Sequence, residues 1–163
     1  MPADLAPRVY AALEPQCVSV GHKALETAML EVRQPALHRE VSDRDSVVSA
    51  GLNWLVDLGK ETFVGKDAVL ESWRSGGGTR PLGIAVLSGS TAVGEELLIG
   101  DAVVGSVRHL VDSPDGGPAL GLASVEPEWQ AASLEFGTAG GARLQTLAPP
   151  YRVPSSWSTP ISL

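Results

Sequence analysis

The sequence contains a single cysteine, Cys17, and this scarcity excludes two kinds of stabilisation. One thiol cannot form a disulfide within its own chain, and it cannot supply the several thiolates of a cysteine-rich zinc site. The sequence also lacks any apolar run approaching the ~18 residues that a membrane span requires. Its first eight residues contain no apolar core of signal-peptide length. We therefore expect a cytoplasmic protein with no membrane partner.

Positive charge is also scarce, with 12 lysines and arginines against 19 aspartates and glutamates and a formal net charge of -7. Nonspecific nucleic-acid binding needs a basic face that displaces counterions, and anionic membrane surfaces attract basic segments. The charge balance therefore argues against both kinds of partner, and we expect neither. The composition is 44% hydrophobic and 19% charged, which is typical of a globular domain and not of a disordered chain.

Familiar ligand-binding motifs are absent as well. The pairs Gly59–Lys60 and Gly65–Lys66 have the wrong spacing for a phosphate loop, and Asp67 stands where that loop needs serine or threonine. The three glycines at 76–78 lack dinucleotide-binding spacing and precede a predicted strand, so they are interpreted as a linker. No Ser-His-Asp pattern stands out.

The three histidines, His22, His38 and His109, are far apart in the sequence. None of them shows the His-x-x-x-His or similar spacing that marks a metal site. The sequence therefore predicts no metal site in this chain.

The first part of the sequence is mostly helical in pattern. Three stretches have apolar residues at helical spacing, namely 7–14, 22–32 and 65–73. Residues 51–58 alternate with a period of two, which predicts a strand. Residues 36–50 mix charged and small side chains and are typical of a solvated connection. A glycine-rich break at 75–79 ends this part and is the best internal boundary.

After the break, the pattern is one of short strands and tight turns. The predicted strands cover 82–87, 95–99, 102–107, 119–125, 133–136 and 142–147. Turn signals occur at 100–101 and at 113–118, and four prolines punctuate a tail that cannot continue a sheet. About six short strands at regular spacing indicate a small antiparallel barrel or sandwich. The fold class is therefore α+β, with one domain over 1–75 and a second over 80–163.

The stretch over 51–70 resembles a segment of the aminomethyltransferase family, the folate-dependent T-protein of glycine cleavage and its relatives. The matching pieces are Gly51-Leu-Asn-Trp54, Thr62-Phe-Val-Gly-Lys-Asp-Ala-Val-Leu70, the pair Leu30-Glu31, Val104-Gly-Ser-Val107 and Ala119-Leu-Gly-Leu-Ala-Ser-Val125. The likeness extends from about residue 7 to about residue 153. In that family the 51–70 segment lies past the middle of a chain roughly twice as long, so the resemblance implies the C-terminal half of the fold.

The resemblance implies a short helix/strand segment that completes an α/β layer, followed by an antiparallel barrel of about six strands. The family's catalytic carboxylate lies in the other half, so no catalytic residue is expected here. The implied function is that of one subunit of a split transferase, which shares tetrahydrofolate with a second chain and acts on a small amine or similar molecule. The alternative is a noncatalytic scaffolding or regulatory subunit. A third possibility is that the chain is a fragment of a flavin-linked demethylase.

Four residues are candidates for contact with the cofactor. Met29 stands where the family has an arginine that anchors the pterin, and a thioether cannot donate a hydrogen bond. Glu31 is either a ligand contact or a carboxylate that orders the end of a helix. His38 replaces a family glycine near the pocket loop. Trp54 is either a stacking surface for the pterin or a core residue, and its alternating pattern favours the core.

Overall fold

The computed structural model of the chain describes residues 2–42, 45–113 and 116–158. Its helical part comes first. The α-helices are α1 (Ala6–Leu13), α2 (His22–Glu31), α3 (Leu37–Glu40) and α4 (Lys66–Arg74). Short 3-10 turns occupy Ala3–Leu5, Glu14–Gln16, Asn53–Leu55, Pro127–Trp129 and Ser155–Ser158. None of the helices in the described ranges meets the length and hydropathy that a bilayer-spanning helix requires.

The three helices predicted from the periodicity are confirmed, and local chemistry sets their ends. Proline occupies the first turn of α1, where its missing N–H is not needed. Helix α2 is followed by Arg33 in the left-handed region, with φ of 59°. Helix α4 begins directly after Gly65, whose φ of 86° suits glycine far better than any other residue.

The predicted strand over 51–58 is wrong. Gly51 has φ of 71°, and a 3-10 turn over Asn53–Leu55 follows it. The N–H of Leu55 donates to the carbonyl of Leu52 at 3.0 Å, so the backbone bonds that a strand would offer to a neighbour are used locally. Trp54 is 72% exposed on this turn, which overturns the preference for a core position.

The described residues of the 36–50 stretch, 36–42 and 45–50, are more ordered than a solvated connection. It contains α3, and Ala36, Val48 and Ala50 are buried. A Cβ on Gly77 would lie 2.6 Å from the Val48 side chain, so the glycine-rich break packs closely against this stretch. Small residues suit this close packing, and they also made the stretch look like a linker.

The second part is a closed antiparallel barrel, which confirms the barrel expected from the resemblance. Its strands are β1 (Arg80–Ser88), β2 (Glu96–Ile99), β3 (Ala102–Val111), β4 (Leu120–Val125), β5 (Glu135–Gly137) and β6 (Arg143–Leu147). Neighbours follow the order β1-β4-β3-β2-β5-β6, and β6 pairs with β1 to close the ring. Closure leaves no exposed strand edge. The turn at Gly100–Asp101 is confirmed, whereas the one at 113–118 includes residues 114 and 115, which lie outside the described residues.

Side chains that alternate along the strands fill the barrel interior. The fully buried ones include Ile84, Leu97, Val107, Val125, Phe136 and Leu144. Burying one such side chain contributes about 1.5–3 kcal/mol. Strand β4 is buried from Gly121 to Val125. Ala123 and Val125 face the interior, while Leu122 faces a second cluster outside the barrel.

That second cluster attaches α2 to the outside of the barrel. It joins Leu30 of α2 to Val111 and Leu122, with Leu120 and Tyr151 packed beside them. A Cβ on Gly83 would lie 1.9 Å from the Tyr151 ring, so only glycine leaves room for that ring. The C-terminal segment thus holds the end of α2 against strands β1, β3 and β4.

Candidate functional site

A cleft lies between the loop after α2 and the turn that carries Trp54. It is lined by Gln34, Pro35, Leu52, Trp54 and Leu55 and has a volume of about 230 Å³. Most of these groups are apolar, and the Gln34 amide can both donate and accept hydrogen bonds. Small-molecule sites are generally lined by apolar side chains with a few polar groups that fix orientation, and this cleft offers both kinds of group.

Backbone hydrogen bonds fix both walls of this cleft. On one side, the N–H of Gln34 donates to the carbonyl of Met29 at 2.7 Å, which turns the chain sharply after α2. On the other, the N–H of Leu52 donates to the carbonyl of Val47 at 2.9 Å. The cleft is therefore built from two tight turns, and the exposed Trp54 side chain lines it.

A second cleft adjoins the first through Leu55. It is lined by Leu55, Val56, Asp57, Lys60 and Phe63 and has a volume of about 370 Å³. The ammonium of Lys66 donates to the carbonyl of Lys60 at 2.6 Å, so Lys66 stabilises this loop. Lys60 is exposed and supplies a positive charge beside the cleft.

The four candidate residues do not all meet at these clefts. Trp54 lines the first cleft. Met29 is half-buried on α2 and contributes the carbonyl that orients Gln34. Neither Glu31 nor His38 is among the residues that line either cleft.

Glu31 has partners that fit its structural interpretation. Its carboxylate lies 3.3 Å from the Nε of Arg152. Its carbonyl accepts hydrogen bonds from the N–H groups of Tyr151 and Arg152, at 2.8 and 3.0 Å. These bonds satisfy a carbonyl that the end of a helix would otherwise leave without an internal partner. Sequence reasoning missed Arg152, because no spacing rule links a tail residue to a helix end 121 positions earlier.

His38 lies beside Glu26 and His22. Its Nε2 is 3.7 Å from the Glu26 carboxylate, and the Nε2 of His22 is 3.2 Å from the same oxygen. The sequence separates these histidines by sixteen positions, but α2 and α3 bring them together. Glu26 was missed although a clue existed, since His22 and Glu26 are four residues apart on one helix face.

A carboxylate with a lowered pKa marks a different place, the end of the barrel. Hydrogen bonds from Thr91 and then Thr138 hold the pKa of Glu95 below its ordinary value. The N–H of Ala92 also donates to this carboxylate, at 3.2 Å. These contacts join two loops, so the group is interpreted as structural.

Comparisons with known proteins point to one family, although no protein-family model matches the chain. The aminomethyltransferase of Alkaliphilus oremlandii is 31% identical over 112 residues, which cover 68% of this chain and 30% of that protein. The enzyme of Listeria monocytogenes is 30% identical over 129 residues, covering 77% of this chain and 36% of the relative. The aminomethyltransferase of Thermosynechococcus vestitus is 29% identical over 131 residues, which cover 79% of this chain and 36% of that protein.

A solved structure shows the same fold. The crystal structure of glycine cleavage system aminomethyltransferase T from Bartonella henselae superposes with a TM-score of 0.83 over 93% of this chain and 45% of that one, at 21% identity. This chain spans about a third of the length of the curated relatives it matches, with shares of 30% to 36% in the three above. By sequence and by fold, the chain belongs with the C-terminal part of the aminomethyltransferase family.

Proposed function

We propose that this chain is one subunit of a tetrahydrofolate-dependent one-carbon transferase. A second polypeptide would carry the N-terminal half of the fold and the catalytic carboxylate, and the two would share the cofactor. Residues 1–75 would complete the folate-binding layer, and residues 80–163 would form the barrel domain. The observation that carries the proposal is a large apolar surface on the helical part, in a chain related to folate enzymes.

The apolar surface is concentrated at the start of the chain. Every described residue up to Leu25 is exposed. On α1, Val9, Tyr10 and Leu13 are 42%, 57% and 51% exposed. An eight-residue helix is marginal in water without packing, so α1 needs a surface to cover it.

The total solvent-accessible area of the chain is consistent with an apolar face that a partner would cover. The chain exposes 10693 Å². A compact monomer of 16.9 kDa would expose roughly 7,700 Å². The excess is larger than the area that each partner contributes to a standard interface, about 800 Å². A second polypeptide that covers α1 and the Trp54 turn would remove much of it.

The Trp54 cleft offers groups that suit tetrahydrofolate. The indole would stack on the pterin, and the Gln34 amide would hydrogen-bond to the polar edge of its ring system. Lys60 in the adjoining cleft would pair with a carboxylate of the folate. The chain would therefore hold the cofactor from one side, and the partner would close the pocket and bind the small amine.

The gain in rate would come from positioning. A pocket closed on both sides fixes the one-carbon unit against its acceptor, and aligned dipoles stabilise the charge that develops during transfer. In this arrangement the present chain orients the cofactor, while the proton transfers belong to the partner's carboxylate.

The first prediction concerns assembly. We expect the chain to copurify with a polypeptide that carries the N-terminal half of an aminomethyltransferase fold, ideally one encoded next to it. Leu13→Glu places a charge on the exposed apolar face, so it should abolish copurification. Val103→Glu is the matched control, because Val103 is 50% exposed on β3 and outside this face. Failure to bind any such partner, with a soluble monomer as the product, would refute the proposal.

The second prediction concerns the cofactor. Titration of tetrahydrofolate into the complex should show one site, measured by calorimetry. Trp54→Ala removes the stacking surface, and loss of about 1–3 kcal/mol of stacking would weaken binding roughly 5- to 150-fold. Trp157→Ala is the control, since Trp157 is similarly exposed at 62%. Equal affinities in the wild type and both variants would contradict a folate contact at Trp54.

The alternative, a noncatalytic scaffolding subunit, is favoured by two observations. Met29 replaces the arginine that the resemblance leads one to expect, and Glu31 is engaged by Arg152 and the helix end. The titration separates the two functions. Folate binding by the complex that is insensitive to Trp54 would assign the folate pocket to the partner and leave this chain the scaffold.

A further inference from the structure

The strongest unassigned feature is the group formed by His22, Glu26 and His38, called here the two-histidine cluster. One ligand atom from each side chain lies within 4.8 Å of the others. We propose that this cluster binds a divalent transition-metal ion of the zinc class. The site is separate from the Trp54 cleft and does not depend on the folate proposal.

The distances from Glu26 to the two histidines fit a shared ion. Two ligands at about 2.0–2.1 Å from a tetrahedral zinc lie roughly 3.4 Å apart. The Glu26 oxygen is 3.2 Å from the Nε2 of His22 and 3.7 Å from the Nε2 of His38. The histidine side chains are 66% and 60% exposed, so both rings are free to make the small adjustments that remain.

The fold holds the ligands in place. His22 and Glu26 are one turn apart on α2, and α3 turns back so that His38 lies beside them. Glu40 secures this turn, because its carboxylate accepts a hydrogen bond from the N–H of Ala36 at 2.7 Å. The Nη1 of Arg33 also lies 2.8 Å from the Oε2 of Glu40, which is within ion-pair distance. The contact does not have the geometry of a hydrogen bond.

The ligand types select the class of metal. Two imidazole nitrogens and one carboxylate oxygen suit zinc and its neighbours in the first transition series. Calcium and magnesium prefer shells made of oxygen. Three protein ligands leave one tetrahedral position for water or an outside ligand. A bound ion would also fix α3 against the first turn of α2.

A plain hydrogen-bonded ion pair is the competing explanation, and pH separates the two. An ion pair between histidine and glutamate requires a protonated imidazole, whose two nitrogens are both donors and cannot bind a metal. Metal binding requires a neutral imidazole, so it weakens as the pH falls. A metal site therefore predicts tighter zinc binding at pH 7.5 than at pH 5.5.

The test, which is the third prediction, uses the full chain prepared without a histidine tag and freed of metal by a chelator. Zinc is titrated by calorimetry, and cobalt is used as a spectroscopic probe of the ligand shell. We expect one zinc per chain, visible cobalt absorption bands and a rise in Tm with zinc, as ligand linkage requires.

Variants decide whether the cluster is the site. His22→Ala, His38→Ala and Glu26→Gln should each weaken zinc binding at least tenfold and remove the zinc-dependent rise in Tm. His109→Gln is the control, because His109 is the third histidine of the sequence and is not one of the cluster's ligands, and this variant should bind zinc as the wild type does. Circular dichroism verifies that each variant is folded. Absence of zinc binding by the wild type, or affinity unchanged in both alanine variants, would overturn the proposal.

Discussion

At the scale of single residues, Tyr151 shows how a side chain can fix a backbone position far away. Its ring lies against Gly83 of β1 and packs beside the cluster that includes Leu30. Burial raises the pKa of Tyr151 to about 12, although the nearby Arg33 guanidinium opposes the rise. The phenol is therefore held neutral by the fold.

This raised pKa gives the fourth prediction. The free phenol titrates near pH 10, so between pH 10 and about 12 the unfolded chain loses the proton while the folded chain keeps it. The stabilising contribution is complete below pH 10 and is lost as the pH rises to 12. Titration of the Tyr151 phenol should therefore lower the unfolding free energy by on the order of 2 kcal/mol between pH 10 and about 12. Denaturant unfolding at several pH values measures it.

Two variants isolate the effect from other groups that titrate in alkali. Tyr151→Phe should lose less stability over this window than the wild type does. Tyr10→Phe should behave as the wild type, because Tyr10 is exposed and hydrogen-bonds only locally, to Ser19 at 3.0 Å. Parallel pH curves for the wild type and Tyr151→Phe would contradict a raised phenol pKa.

At the scale of elements, periodicity predicted those parts whose packing is regular. Helices α1, α2 and α4 follow the 3.6-residue repeat, and the six barrel strands are short apolar runs bounded by turn signals. The 51–58 stretch also alternates, but Gly51 and the 3-10 turn consume its backbone hydrogen bonds. Alternation alone cannot reveal whether a partner strand is there.

The candidate sites were harder to predict than the elements that carry them. Trp54 is a candidate in the sequence, but its exposure could not be predicted, because exposure depends on the turn and not on the residue type. The two-histidine cluster depends on how α3 folds back on α2, and no short-range spacing encodes that reversal. The Glu31–Arg152 pair depends on where the tail docks. In each case the missing information is a contact between distant segments.

At the scale of the whole molecule, the two parts of the chain differ in how completely they bury their apolar groups. The barrel encloses its own core and leaves no open strand edge. Helices α1 and α4 contain no buried residue. Local stability follows burial, so opening free energies should range from the global value in the barrel to near zero in the exposed helices.

Hydrogen exchange provides the fifth prediction and tests this contrast across the chain. In the chain alone, amides of α1 should exchange within seconds, because an eight-residue helix without packing opens constantly. Amides of β4 should be the slowest, since β4 pairs on both sides and is buried. Adding the N-terminal-half partner should slow exchange in α1 and leave β4 unchanged. Protection of α1 equal to that of β4 before any partner is added would show that the apolar face is already covered, and the need for a second polypeptide would disappear.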